Sequence, residues 1–239
     1  MNIETKSLSI IIPCFNESEN LSILFEKLLE IQNHCHEIIL VDNGSTDDTR
    51  TKLEILIDEY DSCIKALYLK TNIGYGHGLM SGVKKASGEI IAWTHADLQT
   101  DPKDVVNAYN TYIENQDYKN CILKGKRKGR GFFDNFFTVS MALYSSFKMK
   151  VKLSDINAQP KMFHHSFKKH IEEAPDDFSL DLFLLYKASI NNYSIMEYPV
   201  NFSERIFGSS KGGGTFIGKI KLMIRTLIYI NKLKLKLKG

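Results

Sequence analysis

Apolar residues in the first hundred positions fall into short continuous runs separated by stretches with helical spacing. Leu8 to Ile12 is isoleucine-rich and stopped by Pro13, which predicts a strand buried on both faces. Leu21, Leu24, Leu28 and Ile31 then recur as one helical stripe, with Asn16 or Ser18 placed to cap it. A second strand is predicted over Glu37 to Val41, a helix from about Asp47 to Glu59, and a third strand over Ile64 to Leu69. Gly74, Gly76 and Gly78 punctuate the next turn, and the helix beyond it runs to Ala86 with Gly88 closing its C-terminal end. A fourth strand, Glu89 to Thr94, leads into His95-Ala96-Asp97-Leu98-Gln99.

Strands and helices alternating at this spacing predict βαβ units and a mainly parallel sheet covered by helices. Ligands of such sheets bind beyond the carboxyl ends of the strands, where four polar or glycine-rich loops of this chain would converge. The second half is less regular. Helices are predicted from Pro102 to about Asn115, Phe132 to Lys150 and Leu180 to Asn191, with strands at Cys121 to Gly125 and Ile195 to Ser203, the latter edge-like and interrupted by Pro199. Thr215 to Lys238 is a basic apolar tail in which Lys232 to Lys238 alternates lysine and leucine. With no internal repeat or low-complexity linker, the expected organisation is one α/β domain, 1–214, and an appendage, 215–239.

Charge adds a partner to this picture. Of the 31 Lys and Arg, nine follow Glu204, where there is no Asp or Glu. All 28 acidic side chains and 22 basic ones therefore lie in the first 204 residues, a body of net −6 carrying a +9 tail. Such a tail points to an anionic membrane or to nucleic acid. No RNA- or DNA-binding motif or basic stripe runs through the body, so no nucleic acid partner is expected. In the tail, Ile220, Met223, Ile224 and Leu227 recur beside Lys219, Lys221 and Arg225, as in a helix lying in the headgroup plane. A packed C-terminal helix also accounts for Ile220 to Leu227. No stretch reaches the ~18 uncharged apolar residues of a transmembrane helix, and Met1 to Ser7 lacks the pattern of a signal peptide. Four scattered cysteines, Cys14, Cys35, Cys63 and Cys121, fit a reducing compartment. The expected location is cytoplasmic, peripheral at the inner membrane face.

The glycine run from Asn72 to Gly78 fails the dinucleotide fingerprint, because the third glycine should fall at Leu79 or Ser81. In Asp97-Leu98-Gln99 a carboxylate and an amide oxygen stand two residues apart, a spacing that can share one Mg²⁺ or Mn²⁺. Asp97 can equally begin the turn before Thr100-Asp101-Pro102.

The order of motifs resembles glycosyltransferase family 2. Ser9 to Glu17 is similar to the family's strand and P-x-[YF]-N-E turn, Val41 to Asp47 to its V-D-D-G-S-x-D, Asn72 to Gly82 to its N-x-G-x-x-x-A-x-x-x-G, and Ala96 to Gln99 to its D-A-D-L-Q. The resemblance covers about the first 130 residues closely. Lys124-Gly125-Lys126-Arg127 and Arg205-Ile206-Phe207-Gly208-Ser209-Ser210-Lys211 further resemble segments of the dolichol- and polyprenyl-phosphate sugar transferases. It implies a GT-A fold. It also implies that Pro13, Phe15 and Glu17 border a nucleoside, with Val41 and Asp42 or Asn43 near the base and Ala96 beside the donor. Asp97 and Gln99 would hold a divalent cation, and Arg127, Arg205 and Lys211 would contact phosphates. His95 stands where the family usually has the first Asp of its metal motif, and Asn43 where a second Asp is common. A neutral imidazole at 95 either ligates Mn²⁺, being a poor ligand for Mg²⁺, or sits beside the diphosphate as a donor.

Asp181 lies where many family members place an acid–base carboxylate. With a hydroxyl acceptor it would be a general base, whereas a lipid phosphate, already anionic, needs none. Ser154-Asp155-Ile156-Asn157-Ala158-Gln159-Pro160-Lys161 occupies the place of a short acceptor-site motif that ends in an aromatic, here Phe163, and His164-His165 looks like surface. The resemblance implies an inverting, cation-assisted transferase moving a hexose from a nucleotide-sugar donor to polyprenyl phosphate. Transfer to a saccharide hydroxyl, and an inert membrane-bound scaffold of the same fold, are the alternatives.

Overall fold

The structure is a computed structural model that describes residues 6–129, 132–203, 205 and 216–236. Its first half is β1 (Leu8–Cys14), α1 (Leu21–Ile31), β2 (Glu37–Asp42), α2 (Thr49–Glu59), β3 (Ile64–Tyr68), α3 (Tyr75–Lys85) and β4 (Ile90–Trp93). There follow α4 (Lys103–Glu114), β5 (Cys121–Lys128), α5 (Phe132–Met149), β6 (Lys161–His164), α6 (Leu180–Ile190), β7 (Ser194–Asn201) and α7 (Phe216–Lys236). The strands form one seven-stranded sheet in the order β3-β2-β1-β4-β6-β5-β7. Pairings β1–β2, β1–β4, β2–β3 and β5–β7 are parallel, and only β6 runs against its neighbours β4 and β5. This is the mainly parallel, helix-flanked α/β sheet expected from the apolar pattern.

Strand side chains alternate between two cores. Ile10, Ile12, Leu40 and Ala92 join Leu24, Phe25 and Leu28 of α1 and Val105 and Tyr109 of α4 on one face. On the other, Ile11, Val41, Trp93 and Phe163 pack with Leu79 and Val83 of α3, Leu184 of α6, and Ile230 and Leu233 of α7. At ~1.5–3 kcal/mol for each large side chain withdrawn from water, the two faces together hold the layers around the sheet.

Two expectations are corrected, and one strand is new. Helix α1 starts later than predicted, its N-cap being Asn20 with no side-chain capping bond, because Asn16 is committed elsewhere: it sits at φ 56° and bonds the loop after β2. Strand β6 was not foreseen, since its apolar residues, Met162 and Phe163, are too few to mark a strand between Lys161 and His164. His164 is buried rather than superficial, its ring 2.8 Å from the Ser166 hydroxyl. The Lys-Leu alternation through Lys236 is part of α7, which buries Leu233.

At the edge away from the strand carboxyl ends, Glu37 Oε1 accepts from the Ser87 N–H and hydroxyl, both at 2.7 Å, and from the Ser9 hydroxyl at 2.8 Å. Burial alone would raise its pKa, but these donors and Lys65 outweigh it and hold the carboxyl at about 2, below its ordinary 4.5. For a depressed acid the stabilisation is complete above the unfolded value and disappears as pH falls toward the folded one, here from 4.5 to about 2. The full contribution is about 3 kcal/mol. Urea unfolding is therefore expected to show a larger drop between pH 7 and pH 3 in the native protein than in Glu37→Gln.

Candidate active site

Six strands end at one edge of the sheet, and β6, running the other way, begins there. The first two loops at this edge are sewn together. Asn16 N–H donates to the Ser45 hydroxyl at 3.0 Å, Thr46 N–H to Asn16 Oδ1 at 2.8 Å, and Glu17 N–H to the Thr49 hydroxyl at 2.8 Å. Pro13, Phe15 and Glu17 are each partly exposed along this seam. Val41 is fully buried in the core. Asp42 spends Oδ1 on the Ser45 N–H at 2.9 Å, shaping the turn. Asn43 is turned under α3, donating to the Gly74 carbonyl at 2.9 Å, and a Cβ on Gly78 would come within 2.6 Å of its Cγ.

The end of β4 supplies the central group. Leu98 adopts φ 57°, a left-handed conformation unusual for leucine, and its side chain is anchored in the core. This turn brings the Gln99 N–H to 3.2 Å from Asp97 Oδ1. Arg205, just past β7, bridges the two side chains: its guanidinium is 2.8 Å from Asp97 Oδ2, and its Nε donates to Gln99 Oε1 at 3.2 Å. Gln99 is tied to the same segment through Ser203, whose N–H donates to the Gln99 carbonyl at 2.9 Å. Two oxygens expected to share a divalent cation thus already share one positive group, which shows that they converge. A carboxylate plus an amide oxygen suits a hard cation that completes its shell with phosphate oxygens and water. Among the described residues no three His, Cys, Asp or Glu gather as a metal cluster. Ala96 is buried beneath this turn.

Arg127 is elsewhere engaged. Asp155 accepts from its N–H and Nε, both at 2.9 Å, and from its terminal nitrogen, while Phe202 lies under the guanidinium with its ring centre 5.3 Å away. The paired guanidinium holds the Asp155 carboxyl below its usual range in spite of burial. Lys211 lies outside the described residues.

A second polar group surrounds Asp181 in the first turn of α6. Gln159 Nε2 donates to both carboxylate oxygens, at 3.4 and 3.2 Å, and Lys161 Nζ stands 3.5 Å from Oδ1. Lys161 is fully buried and also donates to the carbonyls of Ile156 at 2.8 Å and Ala158 at 2.5 Å. Burial pushes its pKa down to about 8, and Asp181 limits the fall. Gln159 also reaches the Tyr75 hydroxyl at 3.4 Å, which in turn lies 3.3 Å from His95 Nε2. Burial lowers the His95 pKa, against the pull of Asp97 and Asp181, and raises that of Tyr75 well above its ordinary value. Asp97 and Asp181 therefore belong to neighbouring groups joined through His95 and Tyr75. Asp155 and Lys161 stand in the predicted acceptor-site segment and Tyr75 in the glycine run, none with a role of its own; the structure brings Tyr75 to His95 and Gln159, Lys161 to Asp181 and Asp155 to Arg127.

Residues 9–156, more than half of the chain, match the family described as Glycosyl transferase family 2. The chain is a member of glycosyl transferase family 2. Among its relatives is an undecaprenyl-phosphate 4-deoxy-4-formamido-L-arabinose transferase of Yersinia pestis (strain Pestoides F), 26% identical over 215 residues, or 88% of this chain and 64% of the relative. The protein of that name from Yersinia enterocolitica serotype O:8 is 27% identical over 210 residues, 86% of this chain and 62% of its own. The chain thus spans less than two thirds of these relatives' length. Glucosyl-3-phosphoglycerate synthase from Mycobacterium tuberculosis, solved with Mn²⁺, UDP and glucosyl-3-phosphoglycerate, superimposes with a TM-score of 0.69 at 14% identity, covering 94% of this chain and 78% of that one. A mannosyltransferase from Pyrobaculum calidifontis, solved with GDP-Man and Mn²⁺, gives 0.65 at 18% identity over 93% and 65%. At these identities the family member shares their fold.

Proposed function

We propose that this family 2 protein is an inverting glycosyltransferase that moves a hexose from a nucleoside-diphosphate sugar to polyprenyl phosphate at the inner face of a membrane. The observation that carries the acceptor is the engagement of Asp181, whose two oxygens already accept from Gln159 and face Lys161. A carboxylate so occupied is poorly placed to take a proton from a hydroxyl, and a phosphate oxygen needs no base. The acceptor named for the Yersinia relatives, undecaprenyl phosphate, supports the same choice.

In this reading an acceptor phosphate oxygen forms the new bond to the anomeric carbon as the bond to the diphosphate breaks, its electron pair leaving with the diphosphate. Asp97 and Gln99 would hold Mg²⁺ or Mn²⁺, and the cation would offset the charge that grows on the departing diphosphate. Arg205, released from Asp97 and Gln99, and Lys211 would contribute further positive charge to the phosphates. Incubation with a panel of nucleotide sugars, and with undecaprenyl phosphate or a saccharide as acceptor, tests the assignment. Asp181→Asn is expected to retain turnover within several-fold, because Asn keeps an oxygen for Gln159. Collapse of turnover in the folded variant, with donor binding intact, would establish the hydroxyl acceptor instead.

Attachment to an anionic surface rests on α5 and α7, which pack against each other. Val139, Leu143 and Phe147 are exposed along α5, Phe147 at 81%, and Ile217, Ile224 and Ile228 along α7 beside exposed Lys221, Arg225 and Lys232. No described helix is long and apolar enough to cross a membrane. Cations near the headgroups add roughly 1 kcal/mol each, and the apolar side chains enter the interface. Co-sedimentation with phosphatidylglycerol vesicles should weaken as salt rises. It should weaken at least tenfold in Phe147→Asp/Ile224→Asp, as expected when two apolar side chains no longer enter the interface. Point changes suit this test better than deleting the tail, since Ile230 and Leu233 belong to the core.

A further inference from the structure

The four groups linking Asp181 to His95 can be given a definite direction, because each has a fixed count of protons and lone pairs. Gln159 Nε2 is only a donor, and its orientation is set by Asp181: a flipped amide would put its oxygen 3.2 Å from a carboxylate oxygen beside Lys161. The Tyr75 hydroxyl therefore accepts from Gln159 at 3.4 Å and has one proton to give. His95 Nε2, at 3.3 Å, is the acceptor for it among the described residues. Were Nε2 protonated instead, Tyr75 would accept twice and its own proton would have no acceptor among the described residues.

The place of Tyr75 is itself well determined. Phe178 stacks on its ring with centroids 4.8 Å apart and planes 3° from parallel, and the His95 ring meets its edge at 5.7 Å. The next residue is glycine because the Pro175 carbonyl comes within 2.1 Å of where a Cβ would stand.

We propose that Tyr75 is a positioning residue that takes the single lone pair of His95 at Nε2, fixing the ring with its proton on Nδ1. His95 then serves the leaving diphosphate as a hydrogen-bond donor and is not a metal ligand. Its neighbours Asp97 and Gln99 supply the protein oxygens for the cation, and the ring supplies an N–H to a phosphate oxygen. The assignment deepens the glycosyltransferase reading and rests on it for the identity of the anion.

The tautomer is read directly in the full chain labelled with nitrogen-15 histidine, by long-range proton–nitrogen correlation. His95→Gln identifies the signal among the seven histidines. In the free protein His95 is expected to show a protonated Nδ1 and a bare Nε2. Addition of inorganic pyrophosphate with Mg²⁺ should shift Nδ1 without removing its proton. Tyr75→Phe keeps the ring stack, so the fold should persist while His95 becomes a mixture of tautomers. Pyrophosphate affinity by calorimetry should then fall roughly tenfold, the value of one charge-assisted hydrogen bond. A protonated Nε2 in the free native protein, an unchanged tautomer in Tyr75→Phe, or loss of the Nδ1 proton when Mg²⁺ or Zn²⁺ is added would each overturn the assignment. So would a pyrophosphate affinity that Tyr75→Phe leaves unaltered. The tautomer is measured without any sugar donor, so its failure is distinct from a failure to transfer sugar, which would refute the enzymatic reading alone.

Discussion

Asp97→Asn is expected to lower sugar transfer on the order of a hundredfold or more while leaving the protein folded. Asp97 is the one carboxylate in the group formed with Gln99 and Arg205, and its Oδ2 lies 2.8 Å from the guanidinium. An amide at 97 removes a full negative charge from the place where a divalent cation would be held. Loss of one well-placed electrostatic stabiliser of a departing anion costs ~2.7–4 kcal/mol in the transition state, a factor of 10² to 10³ in rate. The side chain is nearly isosteric and can still meet Arg205 through its oxygen, so unfolding temperature should change little. Single-turnover transfer at saturating Mn²⁺ measures the effect, and near-native turnover in the variant would remove Asp97 from the cation site.

The largest loss of stability is expected from Lys161→Met. Lys161 is fully buried and Asp181 is 2% exposed, so removing the ammonium strands a carboxylate away from water. Breaking one half of such a pair costs ~3–5 kcal/mol, a large share of the 5–15 kcal/mol that holds a typical domain together. The pair is no net gain for folding. Burial lowers the Lys161 pKa from 10.5 to about 8, so the folded chain gives up that proton more readily than the unfolded one. This cost is fully present below pH 8 and fades as pH rises to 10.5. Asp181→Asn added to Lys161→Met should recover most of the loss, because a neutral amide does not need the ammonium. Urea midpoints of the native protein and the two variants decide the matter; equal midpoints for Lys161→Met and the native protein would mean that Asp181 is adequately solvated.

The first half of the fold was legible because β1, β2 and β4 are buried on both faces, and such strands appear as unbroken apolar runs. The β4 turn was legible for the same reason: Asp97 and Gln99 come within six residues of Trp93, so their place at the sheet edge is inherited from the strand. Strand β6 was illegible because its placement depends on partners distant in sequence, β4 and β5, and its four residues are half polar. Lys161 stands in the predicted acceptor-site segment, but its burial was illegible because it depends on the carbonyls of Ile156 and Ala158 and the carboxylate of Asp181. The Arg127–Asp155 pair was hidden in the same way, its members being 28 positions apart in the sequence. The φ of 57° at Leu98 had no sequence signal, since leucine is not a residue that favours a left-handed turn.

The reversal of β6 divides the labour of the sheet. On one side of it, β3, β2, β1 and β4 come from the first hundred residues and carry the seam of loops and the Asp97 turn. On the other, β5 and β7 come from later in the chain and bring Arg127 and Arg205. A seventh parallel strand would have begun at the far edge and left its N-terminal residues there. By running backwards, β6 delivers Gln159 and Lys161 to the junction of the two halves, and its exit at His164 turns away to the opposite side. The connection entering β6 can therefore change in length and composition next to the candidate site, and the connection leaving it is insulated from that site by the width of the sheet. In such an architecture the proposed acceptor side can drift while the strands carrying the Asp97 turn stay as they are.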